Sequence, residues 1–361
     1  MISNKQAIRV GLVGCGNISE AYLNASYPEV TYVACADLDE TRAKATATAH
    51  GITAMPVEEL LSNPDIDVVC NLTVPRAHVK VGLAALKGGK HLYLEKPLGL
   101  DRAEAATLLN LADEKDLVVG CAPDTFLGAG LQTCRRVIDE GRIGVPIAAM
   151  AHMVWHGPEN GHPDPAFYYQ RGAGPLFDLG PYCLTALVSL LGPIKRVAAM
   201  WRGVGVERVV RSGARVGQVL SVEVPTHVAG VLEFAVGSVA TLVTSFDVWK
   251  SALPPLEIHG TEASLFLPDP STFAGPVQLF PAGTTDGEEI PIDAFEVHQR
   301  GIGLANLAEA LRGTGHNRAS GRLAYHVLEA MVALIESGEK GEYIDLASTI
   351  ERPPAMARQE S

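Results

Sequence analysis

The stretch Val10-Gly11-Leu12-Val13-Gly14-Cys15-Gly16-Asn17-Ile18-Ser19 runs from an apolar segment through a glycine-rich turn into a helical pattern. Such a turn points to a dinucleotide. Gly14 permits the tight bend, and Gly16 lets the backbone approach a pyrophosphate over the start of the helix, where free N–H groups favour an anion. Ser19 stands where a third glycine or alanine is usual, and is small enough to keep helix and strand close. The next strand pattern ends in Asp37, whose carboxylate can accept hydrogen bonds from a ribose diol. It also repels a 2′-phosphate, and Leu38 and Asp39 supply no cation to neutralise one, so NAD is expected in preference to NADP. The competing reading has Asp37 capping the helix that begins near Asp39.

Working outward, strand patterns fall at Arg9–Val13, Tyr32–Asp37, Val68–Asn71, His91–Glu95 and Val118–Cys121. Helical patterns fall between them at Ser19–Ala25, Asp39–His50, Val57–Ser62 and His78–Lys87, and at Asp101–Lys115, which Asp101 and Glu104 open as a capping box. This alternation predicts a parallel, doubly wound sheet: a Rossmann dinucleotide-binding domain over residues 1–122. After a helix at Gly130–Glu140 the texture changes to long alternating strands. Val231–Ala235 and Val239–Phe246 make a hairpin round Gly237-Ser238, and Leu256–His259 and Ala263–Leu267 another round Gly260-Thr261. Further helices are expected at Leu179–Leu191, Ile302–Arg312 and Gly321–Ser337. Residues 123–361 therefore read as an α+β domain with a large, mainly antiparallel open sheet, making the chain α/β overall. The tail after Arg352 reads as loosely held.

The 361 residues, 47% of them hydrophobic, suit roughly two packed domains and exclude a fibrous or mostly disordered chain. A formal net charge of −12 repels phosphate backbones and anionic lipid, so neither a nucleic-acid nor a membrane partner is expected. No signal-peptide pattern follows Lys5 and Arg9, and no stretch reaches the roughly 18 to 20 uncharged apolar residues that span a bilayer. Cys15, Cys35, Cys70, Cys121, Cys134 and Cys183 lie singly in apolar stretches, which points to reduced thiols and a cytoplasmic location.

Leu92-Tyr93-Leu94-Glu95-Lys96-Pro97 puts two charges at the carboxyl edge of the sheet, where ligands bind in such folds. Neighbours on a strand face opposite ways, so Glu95 and Lys96 are not expected to pair with each other. A partly desolvated lysine there suits proton exchange with a reacting hydroxyl. Together with Gly14-Cys15-Gly16-Asn17-Ile18, with Asn71-Leu72-Thr73-Val74-Pro75 and His78, and with Gly174-Pro175-Leu176-Phe177-Asp178-Leu179-Gly180-Pro181-Tyr182, the Glu95-Lys96-Pro97 triplet resembles the glucose-fructose oxidoreductase, inositol dehydrogenase and MocA family of nicotinamide-dependent oxidoreductases. The resemblance covers almost the whole chain. It implies cofactor contacts from Gly14, Gly16, Asn17, Ile18, Asp37, Leu72, Thr73, Pro75, His78, Glu95 and Lys96, with helix capping as the other reading of His78. It also implies that Lys96 bridges substrate and nicotinamide, that Asp178 lies beside the reacting carbon, and that Tyr182 holds the general acid or base position. Thr185 replaces a later aspartate of the inositol dehydrogenase pattern, which argues against inositol. Whether Lys96 or Tyr182 takes the proton stays open, and Asp178 also reads as a cap of a helix starting at Leu179.

Just before that segment, the loop from Trp155 to Tyr169 concentrates imidazoles, aromatics and carboxylates, and reads as a carbohydrate-binding wall. Trp155, His156, His162 and Tyr168 are the expected substrate contacts, with Asp124, just past the fifth strand, in a substrate or hinge role. Tyr169 reads equally as a core aromatic. His152, His156, His162 and Asp164 match no metal-binding spacing, so no metal is expected. The expected activity is NAD-dependent oxidation of a secondary hydroxyl, or reduction of a carbonyl, on a sugar, polyol or related carbohydrate. The alternatives are a redox-neutral enzyme that recycles bound NAD, of isomerase, lyase or glycosidase type, and a catalytically silent scaffold. Apolar alternation over 231–246 predicts an exposed sheet face and hence a homodimer or homotetramer.

Overall fold

The computed structural model describes residues 7–162, 164–292 and 299–357, so Pro163 of the aromatic loop and residues 358–361 of the tail lie outside it. β1 (Ile8–Val13) and β4 (Val68–Asn71) are buried along their whole length except at Arg9, as strands covered on both faces must be. Around them lie β2 (Val30–Ala36), β3 (Thr53–Ala54), β5 (His91–Leu94) and β6 (Val119–Cys121). These strands form a six-stranded parallel sheet of order β3-β2-β1-β4-β5-β6. The connecting helices are α1 (Ser19–Leu23), α2 (Glu40–His50), α3 (Val57–Ser62), α4 (His78–Lys87) and α5 (Arg102–Glu114). At the head of α5 the Asp101 carboxylate accepts the Glu104 N–H at 2.9 Å, as the capping pattern predicts. The order reverses on either side of β1, and ligands of such sheets sit beyond the strand ends at that switch point.

After α6 (Ala129–Asp139) come β7 (Pro146–Val154), α7 (Gly174–Leu191), β8 (Ile194–Arg202), β9 (Glu207–Val209) and β10 (Val219–Ser221). They are followed by β11 (His227–Phe234), β12 (Val239–Ser245), β13 (Leu256–Gly260), β14 (Ala263–Leu267), β15 (Val277–Pro281) and β16 (Glu288–Ile290). The last elements are α8 (Ile302–Leu311), α9 (Gly321–Lys340) and β17 (Ile344–Asp345). The large sheet has nine strands in the order β16-β15-β14-β13-β7-β12-β11-β8-β17, antiparallel except where β7 meets β12. Both expected hairpins form, with Val231 opposite Thr241 and Ile258 opposite Leu265.

Three features depart from the sequence reading. The compact units are Met1–Leu127 with Val297–Tyr325, and Gly128–Glu296 with His326–Ser361, in place of a single cut after Ala122. The reason is that Leu304, Leu307 and Ala308 of α8 complete the core made by Val10, Leu12, Val68, Cys70 and Tyr93. Secondly, α7 begins at Gly174, five residues before the expected Leu179, so Asp178 lies inside the helix and Ala173 is its N-cap. By length and composition α7 could cross a membrane, closer to that limit than the sequence reading allowed, but it is a core helix packed on β7, β11 and β12. Thirdly, the tail is tied down as far as Met356. Arg135 Nη1 donates to the Pro353 carbonyl at 2.9 Å, and the Met356 N–H to Gln132 Oε1 at 2.8 Å.

Candidate active site

At the end of β1 the chain turns at Gly14 with φ +100°, where a Cβ would stand 2.8 Å from the Leu72 carbonyl carbon, so only glycine fits. Above Gly16 no atom lies within 4 Å of the Cβ position, which leaves backbone open to a ligand. Ser19 Oγ closes the turn by donating to the Gly16 carbonyl at 2.6 Å. Asn17 is exposed and Ile18 half-buried. The Asp37 carboxylate accepts the Cys15 N–H at 2.8 Å and the Asp39 N–H at 2.9 Å, and keeps lone pairs for a diol. Capping of α2 falls to Asp39, which accepts the Thr41 and Arg42 N–H groups. These groups fit a bound dinucleotide: an open turn with a fixed acid beside it. Arg42 Nη1 stands 3.5 Å from Asp37 Oδ2, a cation one helical turn beyond the residues in which the sequence reading sought one.

Beyond β4, the buried Asn71 shapes the next loop, accepting from Thr73 N–H at 3.2 Å and Thr73 Oγ1 at 2.6 Å while donating to the His78 carbonyl at 3.0 Å. Leu72 is buried, whereas Thr73 and Pro75 are half-buried. His78 is sealed from solvent, with Nδ1 2.7 Å from the Pro97 carbonyl and Nε2 2.9 Å from that of Thr73. Burial pushes its pKa below the ordinary range, and the neutral ring donates to one carbonyl at a time. Its ring ties two loops together and makes no cap for α4, whose N-cap position is Ala77. Lys96 follows β5 and is half-buried. Beside it, the buried Glu95 accepts Tyr22 Oη–H at 2.8 Å and the Lys96 N–H at 3.1 Å. Asp124 is also sealed: its carboxylate accepts the Gly301 and Gly303 N–H groups at 2.8 and 3.2 Å, with Arg300 Nη1 3.4 Å away. Burial still pushes the carboxyl up. In the structure Asp124 anchors the head of α8.

In the second unit, α7 is buried at every position except Asp178, Leu179 and Tyr182. Asp178 and Tyr182 are one turn apart and share a face. Thr185, one turn further on, is buried. The aromatic wall is organised by the buried Phe246, which Trp155, Tyr168 and Tyr169 meet edge-on at centroid distances of 5.6, 6.2 and 6.0 Å. Tyr169 is fully buried and donates to Glu159, itself buried and 3.2 Å from Arg208 Nη1. Its reading as a core aromatic is the one the structure shows. His162 packs on Phe167 and Tyr168. His156 lies against Trp249, and burial lowers its pKa. Among the described residues no three His, Cys, Asp or Glu side chains gather as a metal site.

Residues 8–122 match the oxidoreductase family with an NAD-binding Rossmann fold, and residues 131–266 match the GFO/IDH/MocA C-terminal domain. The chain belongs to the GFO/IDH/MocA family of oxidoreductases. A 1,5-anhydro-D-fructose reductase from Ensifer adhaerens is 28% identical over 94% of this chain and 98% of its own length. The trans-1,2-dihydrobenzene-1,2-diol dehydrogenase of Bos taurus is 30% identical over 54% of this chain and 60% of its own. A levoglucosan dehydrogenase in complex with NADH and L-sorbose shares the fold with TM-score 0.81 at 22% identity, covering 96% of this chain and all of that one.

For this GFO/IDH/MocA oxidoreductase, sequence reasoning missed Arg42, Tyr22, Glu159, Arg208 and Trp249. Trp249 is 70% exposed, with the Arg211 guanidinium 5.6 Å above its ring. A bulky aromatic in the segment just after the strong strand pattern of β12 is the signal that could have found it. The Tyr22–Glu95 and Glu159–Arg208 pairings have no local signal, because each joins residues far apart in sequence, whereas Arg42 lies within one turn of Asp39.

Proposed function

We propose that this oxidoreductase uses NAD to oxidise a secondary hydroxyl, or reduce a carbonyl, of a sugar, polyol or related carbohydrate. The observation that carries the reading is the accessible stripe on α7, where an otherwise buried apolar helix presents a carboxylate and a phenol one turn apart. With Leu179 they are the positions of α7 that stay accessible, so the stripe offers a carboxylate and a phenol to a ligand that reaches it. Bound nicotinamide supplies the hydride chemistry. Lys96 and Tyr182 are the groups assigned to the hydroxyl proton, and Asp178 accepts a hydrogen bond from a substrate hydroxyl. Trp155, His156, His162 and Tyr168 form the wall, apolar ring faces covering C–H surface and imidazoles meeting hydroxyls. The sugar-directed names of the anhydrofructose reductase and levoglucosan dehydrogenase relatives support this substrate class.

The open face of the large sheet supports assembly into a homodimer or homotetramer, with Met200 82% exposed and Met150 and Val239 also exposed. The six cysteines are free thiols, all of them buried, which supports a reducing compartment such as the cytoplasm. A panel of anhydrosugars, sugars, lactones and polyols assayed with NAD and with NADH tests the reading. Accumulation of oxidised or reduced cofactor in step with product is expected; product without accumulation would instead indicate recycled, redox-neutral use. Replacing Lys96 with Ala should lower turnover about a thousandfold while leaving NAD binding within about threefold. Near-normal turnover in that variant removes Lys96 from the chemistry.

A further inference from the structure

We propose that Tyr22 is a positioning residue that, through Glu95, fixes the backbone presenting Lys96 and ties it to the dinucleotide turn. The inference rests on Lys96 being the proton-handling group proposed above. Tyr22 stands on α1, directly after the Gly14–Ile18 turn, and is fully buried. Its ring meets Tyr93 of β5 edge-on at 6.2 Å, so it is held by packing on the strand that leads to Lys96. From there its hydroxyl donates to one oxygen of Glu95 at 2.8 Å, while the other oxygen accepts the Lys96 N–H at 3.1 Å. The carboxylate is thereby clamped at both oxygens, one toward the cofactor turn and one toward the reacting lysine.

The chemistry makes the arrangement one-directional. Tyr22 has only a hydroxyl to offer, and burial, reinforced by Glu95, Tyr93 and Asp124, keeps that phenol protonated with Arg300 opposing only weakly, so it stays a donor. A buried carboxylate deprived of such a donor turns in search of another and releases the Lys96 amide. Moving the lysine backbone by a fraction of a side chain's reach is enough to spoil alignment with a reacting carbon. Cofactor binding by the turn itself does not use the Tyr22 hydroxyl, which separates positioning from affinity.

Tyr22→Phe removes the hydroxyl and keeps the ring. Hydrogen exchange of the Lys96 amide, followed in the NAD-saturated protein, should quicken about tenfold. With whichever substrate of the panel is turned over, kcat should fall roughly ten- to a hundredfold, the scale of a lost bond to a charged group, with KM for NAD within about twofold. Glu95→Leu, which removes both acceptor oxygens, should act in the same direction, and adding Tyr22→Phe to it should cost little more, because both remove one link. Should Tyr22→Phe melt at assay temperature, Glu95→Leu alone carries the exchange test. Unchanged exchange of the Lys96 amide, or additive losses in the double variant, overturns the proposal. If Lys96→Ala is inactive while Tyr22→Phe matches the unaltered enzyme, only the present inference falls; if Lys96→Ala stays active, the functional assignment of Lys96 falls first.

Discussion

Arg42 shows how one side chain alters a conclusion drawn from its neighbours. The acid at position 37 favours NAD because a 2′-phosphate would meet a fixed negative charge. Yet the Arg42 guanidinium lies 3.5 Å from that carboxylate, half-exposed and able to swing toward a phosphate. Some use of NADP is therefore expected of the unaltered protein. Arg42→Ala should raise the preference for NAD over NADP about tenfold, equivalent to ~1.4 kcal/mol. Comparing kcat/KM for the two cofactors checks it; an unchanged ratio would leave Arg42 as an ordinary surface partner of Asp37 and Asp39.

At the scale of elements, α7 and the hairpin of β9 and β10 divide the labour in the second unit. The helix presents the accessible stripe of Asp178 and Tyr182, while Arg208 on β9 braces the aromatic loop by pairing with the buried Glu159 and with Asp247. Glu159 in turn takes the Tyr169 hydroxyl, and Tyr169 packs on Phe246 with Trp155 and Tyr168. Arg208→Met would leave a buried carboxylate without its cation. That should cost about 3 kcal/mol of stability, read by denaturant unfolding. It should also raise KM for the carbohydrate while NAD affinity stays the same, because the dinucleotide turn belongs to the other unit. A loss of NAD affinity as large as the loss for the carbohydrate would contradict this division.

Across the whole molecule, burial lowers the pKa values of His78, His91, His227 and His326. His326 shows why: its Nε2 accepts the Ile194 N–H at 2.9 Å and so must stay unprotonated, leaving Nδ1–H for Ser348 Oγ at 2.8 Å. A folded-state pKa below the unfolded one means that the unfolded chain binds protons first. Stability is therefore full above about pH 6.5 and is lost as pH falls below it toward the folded-state values. The Asp124 carboxyl, pushed up by burial, opposes this trend. Thermal melts from about pH 7.5 to pH 5 should show a falling midpoint, and His326→Gln should flatten part of the slope. A midpoint that stays level across this range would show that these rings carry no linkage.

The sequence alone determined the alternation of strands and helices, the need for glycine at position 14, and the placing of Lys96 at a strand end, since periodicity and turn chemistry are written in consecutive residues. It also determined that Asp178 and Tyr182 lie four apart, though the helix they share starts earlier than local signals indicate. Only tertiary structure decided that His78 and Asp124 are sealed and occupied with backbone groups, that Arg42 stands at Asp37, and that α8 returns to complete the first core. The sealing of Asp124 and the return of α8 are meetings of distant segments, while Arg42 reaches Asp37 from only one helical turn away. Burial and pairing depend on what the rest of the chain packs against a residue, and no local pattern encodes that.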